Sequence, residues 1–267
     1  MDVRAHNRDV WDSLGSSESP WTRPVSTAQV EAARHGEWSI VVTPSVPVPR
    51  DWFPSLEGCR TLCLAGGGGQ QGPILAAAGA EVTVLDFSEA QLARDEEVAR
   101  RDGLDLTLVH ADMTDLSRFE DHSFDLVVHP VASVYIPDVA PVWQEVARVL
   151  RPGGALIAGF FNPVVYVFDQ DLLGDGELVV ANALPYSELT SIDASTRQRL
   201  LDDGDPLQFS HTLADQIGGQ GRAGLHVTDL LEDRRPGHPL APYLPTHLAT
   251  RAVRQELSRE PAPAAPR

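Results

Sequence analysis

The 267-residue chain predicts an α/β fold, a mostly parallel sheet with helices on both faces, and three observations carry that expectation. From residue 60 onward, short continuous apolar runs alternate with helical stretches, the pattern of strands buried on both faces. The first run leads straight into four glycines, Gly66 to Gly69. The second and third each end near an acid, Asp86 and Asp112.

Taken in order, residues 1–57 carry four of the five tryptophans (Trp11, Trp21, Trp38 and Trp52) among scattered prolines, and predict short helices and turns forming a lid. The core opens at 58 with "RTLCLA" as a buried strand. "QQGPILAAAGA" follows as a helix ending at Gly79, then "EVTVLD" as a second strand. "SEAQLARDEEVARRDG" predicts a helix capped by Ser88 and closed by Gly103, with "RDEEVARR" as a solvated face. "DLTLVHADM" is the third strand, "TDLSRF" a short linker helix, "SFDLVVHP" the fourth strand, and "APVWQEVARVLRPGG" a helix plus turn. "ALIAGFF" is the fifth strand and ends the core segment at 161.

Residues 162–205 break the rhythm and predict an insertion or cap. In 206–254, "HTLADQIGGQGRAG" returns as a helix, with His211 structural at its start, and "LHVTDLLED" and "PTHLATRAV" as strands. The Pro/Ala-rich tail, 255–267, predicts disorder.

The 21 basic residues are all arginine and face 38 acidic ones, for a formal charge of −17. Such a surface repels phosphate backbones and anionic bilayers, so neither nucleic acid nor membrane is an expected partner. Cys59 and Cys63 make neither a disulfide framework nor a zinc set, and no metal is expected. With no signal-like apolar region near the N-terminus and no run of about 18 apolar residues, the expectation is a cytoplasmic protein, monomer or homodimer.

Gly67, Gly69 and Gly72 satisfy G-x-G-x-x-G. A glycine turn opening a helix serves a pyrophosphate or a carboxylate equally, and Asp86 at the second strand end suits the ribose of either ligand. Three further features separate them. Asp112 ends the third strand, where a carboxylate accepts from an adenine amine while Met113 packs on the ring. About 60 residues precede the glycine strand, unlike a nicotinamide domain, which commonly begins with it. "RVLRPGGALIAGF" follows "FDLVVHP" as helix, tight turn and strand.

On these residues the segment 60–161 resembles a class I S-adenosylmethionine-dependent methyltransferase of the small-molecule type. The resemblance implies a Rossmann-like seven-stranded, mostly parallel sheet, with residues 211–253 supplying the antiparallel sixth and seventh strands. It implies S-adenosyl-L-methionine as cofactor, held by motif I at Leu64 to Gly69 (Gly66, Gly67 and Gly68 among them) and by Asp86 with Phe87 and Ser88. Asp112 and Met113 would hold the adenine, and His129 would touch the cofactor mostly through its backbone. One departure stands out: the family's acid two residues before the first motif glycine is missing, with Cys63 and Ala65 in that region. Gln71, beside Gln70, either binds the methionine carboxylate or caps the helix.

Methyl transfer from a sulfonium needs alignment and exclusion of water, and a base only for a protonated acceptor. His129 and Tyr135 are the candidate catalytic residues, Tyr135 alternatively packing in the core. Asn162 and Tyr166 follow strand five and are candidate substrate contacts, although turn formation also explains Asn162. Trp11, on one helix face with Asn7, either shields the methyl donor or packs on the sheet. A small-molecule substrate, aromatic or otherwise partly apolar, is the expected partner. Intramolecular displacement on the same cofactor, a nicotinamide oxidoreductase and a non-catalytic binding module are the competing readings.

Overall fold

The computed structural model describes residues 1–15 and 22–255. Trp21 and, but for Gln255, the tail expected to be disordered lie outside the described residues.

The lid segment supplies two helices, α1 (Val3–Gly15) and α2 (Thr27–Arg34). Ser26 caps α2 in a reciprocal box with Gln29. The core then alternates β1 (Arg60–Leu64), α3 (Gln71–Ala77), β2 (Glu81–Asp86), α4 (Glu89–Asp102), β3 (Leu106–His110), β4 (Phe124–His129), α5 (Ala140–Val149) and β5 (Leu150–Phe161). The insertion contributes α6 (Gln170–Gly174) and α7 (Ala194–Asp203), and the chain closes with α8 (Leu213–Arg222), β6 (Leu225–Asp233) and β7 (His247–Arg254).

The seven strands lie in the order β3-β2-β1-β4-β5-β7-β6. The first five are parallel, and β7 runs antiparallel between β5 and β6. Side chains alternate between two cores. Leu62, Leu64, Leu85, Val127 and Leu156 meet Trp143 on one face, while Cys63, Val84, Val128 and Ile157 meet Ile74, Leu75 and Trp52 on the other. Each fully buried Leu or Ile is worth about 1.5–3 kcal/mol of transfer free energy, which makes this sheet the rigid base of the molecule. Strand order reverses between β1 and β4, where the carboxyl ends of a parallel sheet open a crevice.

Three expectations need correction. "TDLSRF" forms turns and no helix, because side chains take the amide protons a helix would use. Asp112 Oδ1 accepts from Thr114 N (2.8 Å), Asp115 Oδ1 from Ser117 N (3.0 Å) and Glu145 Oε2 from Leu116 N (2.9 Å). The fifth strand starts at Leu150 and takes in the "RPGG" turn as an irregularity, pairing Phe124 with Leu150 and then Leu126 with Ala155. The "RDEEVARR" face is only partly solvated, since Asp95 and Val98 are buried with Gln91 and Leu92.

The lid segment is joined to the sheet by backbone. A Cβ on Gly159 of β5 would lie 2.0 Å from the Val42 carbonyl oxygen, so only glycine lets residues 40–48 cross there. The same oxygen accepts from Val131 N (3.1 Å). Asp233, at the end of β6, accepts from Ser45 N (2.7 Å) and Val46 N (3.1 Å). No helix among the described residues is long and apolar enough to cross a membrane.

Candidate functional site

The chain leaves β1 through Ala65, whose φ of 48° lies in the left-handed region disfavoured for a residue with a side chain. The turn is pinned from both sides. Gly67 N donates to Asp86 Oδ2 (3.0 Å), and a Cβ on Gly67 would come within 2.8 Å of Gln91 Cβ and 3.0 Å of that same Asp86 oxygen. Gly68 N and Gly69 N both donate to Asp95 Oδ2, at 2.9 and 3.0 Å.

Above the turn lies a cavity of about 1560 Å³. Gly67, Asp86, Phe87, Asp112 and Met113 line it, and Gln71 reaches it while donating to Val41 O (3.0 Å). Asp86 Oδ1 accepts from Ser88 N (3.0 Å), so both carboxylate oxygens are held by backbone donors. Burial pushes the Asp86 carboxyl up to about 6 against the pull of these backbone donors. Burial acts the same way on Asp112, but hydrogen bonds from Arg4 and Thr114 outweigh it and hold Asp112 below the usual range. Arg4 Nε reaches Asp112 Oδ2 at 2.6 Å, so α1 fastens onto the second acid.

Side chains fix the rest of α1. Asn7 is fully buried, donating to Tyr135 O (2.9 Å) and Leu207 O (3.0 Å) and accepting from Leu207 N (2.8 Å). Ser88 Oγ donates to Asp12 Oδ1 (2.7 Å). Trp11 and Tyr135 meet edge to face at 5.2 Å, and both line the cavity. Burial raises the Tyr135 phenol well above its ordinary value, so at neutral pH it stays protonated.

Six of the residues expected at the site do not line the cavity. Gly66 faces Cys63 and Pro130, and Gly68 is turned toward Asp95. Ser88 is buried as the cap of α4. His129 is sealed in the core with Nδ1 on Leu64 O (2.8 Å), and burial lowers its imidazole to about 4. A proton-accepting role for it lacks access to any acceptor. Asn162 caps a turn, accepting from Val164 N (3.3 Å) and donating to Pro245 O (2.9 Å). Tyr166 is buried against Tyr186 with its hydroxyl on Gln208 Oε1 (2.6 Å). His211 is buried on Ser133 O (2.9 Å).

Two residues at the site escaped the sequence reading. Asp95 is fully buried beneath the glycine turn, with Oδ1 lacking a partner, and burial raises its carboxyl to about 7 against the Gly68 and Gly69 donors. The signal was present: Gln91, Leu92, Asp95 and Val98 repeat at helical spacing, which places Asp95 on the inner face of α4. It comes from another element than the missing motif acid, yet it grips the same turn. Arg4 carried no local signal, because its partner lies 108 residues away.

The chemistry of this end suits an adenosyl amino acid. Two carboxylates present lone pairs at adjacent strand tips, Met113 and Phe87 offer apolar surface near them, and a turn without side chains allows close backbone approach. A family model described as a methyltransferase domain matches residues 62–158. The uncharacterized methyltransferase YbaJ of Bacillus subtilis is 48% identical over 250 residues, 94% of this chain and 98% of that protein. An S-adenosylmethionine-dependent methyltransferase from Mesorhizobium loti superposes with a TM-score of 0.56 at 25% identity, covering 77% of this chain and 95% of that one. A 1,6-didemethyltoxoflavin-N1-methyltransferase from Burkholderia thailandensis was solved with 1,6-didemethyltoxoflavin and S-adenosylhomocysteine bound. It superposes with a TM-score of 0.56 over 94% of this chain and 88% of that one, at 14% identity, a likeness of fold alone.

Proposed function

The chain belongs to the class I S-adenosylmethionine-dependent methyltransferase family, and from that premise we propose that it methylates a small-molecule acceptor inside the cavity above the glycine turn. It is an enzyme of that family with S-adenosylmethionine as cofactor. Bound there, the cofactor supplies a methyl group already activated on a sulfonium. Asp86 accepts from the ribose hydroxyls, Asp112 accepts from the adenine amine once Arg4 yields, and Met113 and Phe87 pack on the base. Gly67 and Gln71 stand beside the amino-acid end. Trp11 covers the methyl from α1 and Tyr135, a neutral phenol, positions the acceptor and leaves its proton alone. An aromatic face beside a sulfonium is favourable by about 0.5–2 kcal/mol.

The observation that carries this reading is the convergence of Asp86 and Asp112 on one cavity with the glycine turn. The acidic surface and the enclosing α1 favour a small, enterable acceptor over a polyanion. Calorimetric titration with S-adenosylhomocysteine, followed by an acceptor screen with labelled methyl donor, tests it. Saturable binding and label transfer are expected. Absence of any heat of binding would sink the proposal.

A further inference from the structure

Four consecutive glycines are the freest stretch of backbone a chain can carry, yet Gly66 to Gly69 form a defined turn, with φ of 111° at Gly68 and 70° at Gly69. What holds them lies on α4. Gly68 N and Gly69 N converge on Asp95 Oδ2, and Gly68 N has a second acceptor in Gln91 O (3.1 Å). A Cβ on Gly69 would lie 2.9 Å from the Arg94 carbonyl oxygen, so the turn rests directly on this helix. The other Asp95 oxygen, Oδ1, stands beside the start of α3, where a Cβ on Gly72 would come within 3.2 Å of it.

We propose that Asp95 is a positioning residue of the cofactor site, one that sets the glycine turn from behind before the cofactor arrives. The inference rests on the proposed function. Two observations separate this role from one in the fold alone, and the first is energetic. A carboxyl with no exposed surface and one oxygen lacking a donor works against the folded state, and burial raises it to about 7 against the two amide donors. An amide in its place would accept the same two protons without that penalty. Groups kept against stability gather where a ligand is handled. The second is place. Cys63, fully buried where the family's motif acid is missing, lies close enough that, after burial itself, the Asp95 charge raises its thiol. A carboxylate from α4 therefore stands beside the position that β1 leaves without one.

The consequence is preorganisation. With Gly67 N on Asp86 and Gly69 N on Asp95, the turn keeps its shape without ligand, and the cofactor does not have to order four glycines as it binds. Releasing Asp95 returns that ordering entropy to the binding step, while Gly67 stays tied to Asp86 and Gly68 to Gln91 O. Gly69 is thus the amide that reports on Asp95.

Amide hydrogen exchange and calorimetry at neutral pH test it. In ligand-free wild-type protein the Gly69 amide is expected to be protected about a hundredfold or more, and S-adenosylhomocysteine should add no more than about threefold to that. Asp95→Ala should lose protection at Gly69 and keep it at Gly67. The same variant should bind S-adenosylhomocysteine about tenfold more weakly, with its ligand-free melting temperature within about 5 °C of wild type. Asp95→Asn keeps an accepting oxygen and should bring the affinity back to within about threefold of wild type. Protection at Gly69 that arises only with ligand, unchanged affinity in Asp95→Ala, an affinity loss accompanied by a larger fall in melting temperature, or an Asp95→Asn as weak as Asp95→Ala would overturn the inference. The exchange measurement on wild type stands without any variant, so a misfolded Asp95→Ala does not remove the test. If S-adenosylhomocysteine fails to bind wild type, the proposed function falls and takes the inference with it, whereas tight binding to a protein whose Gly69 is unprotected sinks the inference alone.

Discussion

The two ends of the cavity differ in construction. At the β2 and β3 tips, carboxylates lie beside a turn made of backbone; at the β5 to β7 end, the side chains of Phe161, Gln208, Arg235 and His247 line the wall. The first end is built from consecutive elements and holds Asp86 through the amide protons of Gly67 and Ser88. The second is assembled by side chains separated by up to 86 positions, from Phe161 to His247. A ligand part that never varies can be held by backbone, whereas a part that sets specificity needs exchangeable side chains.

The largest effect expected from breaking this division is at the acid end. Asp86→Ala removes two charge-assisted hydrogen bonds and should weaken S-adenosylhomocysteine about a hundredfold by calorimetry. Retention of wild-type affinity would show that the acid end does not hold the cofactor. Next comes Gln208→Ala, expected to raise the KM for an identified acceptor about tenfold while leaving cofactor affinity unchanged. A parallel loss of both would mean that the ends are one site.

A smaller effect sharpens the role of α1. The Arg4 side chain is 60% exposed in its pair with Asp112, so the pair is worth at most about 1 kcal/mol. Arg4→Ala should tighten S-adenosylhomocysteine by no more than about fivefold, and a weakening would assign Arg4 to the ligand instead. The smallest effect is read as a pH trend. Asp95 has its folded value raised, so its contribution to stability is fullest below the unfolded value near 4 and is lost as pH rises toward about 7. The melting temperature of Asp95→Asn minus that of wild type, both ligand-free, should therefore increase from about pH 5 to about pH 8. A flat difference would mean that Asp95 carries no burial penalty.

The ends also differ in how far the residues announced them. β2 and β6 fall on the segments read as strands, and α4 runs between the Ser88 cap and Gly103 in the left-handed conformation, because local chemistry fixes each. The glycine turn, Asp86 and Asp112 stand at the ends of three successive strands, spacings that two consecutive βα units dictate. Linker residues 114–119 misled because their helical composition lost to Asp112, Asp115 and Glu145 competing for amide protons. Asp95 hid inside a run of charges whose periodicity marked it. Arg235, Gln208 and His247 were beyond local reading, since only the meeting of β6 and β7 with the loop between α7 and α8 brings them to one wall.

The passage of Val42 over Gly159 decides which wall of the cavity is locked by backbone. Residues 40–48 are tied by main-chain atoms to Val131 and Asp233 and lie flush on β5, so this side is a fixed wall. The α1 side is held instead by side-chain hydrogen bonds at Arg4, Asn7 and Asp12, so of the two walls it is the one that single substitutions can loosen.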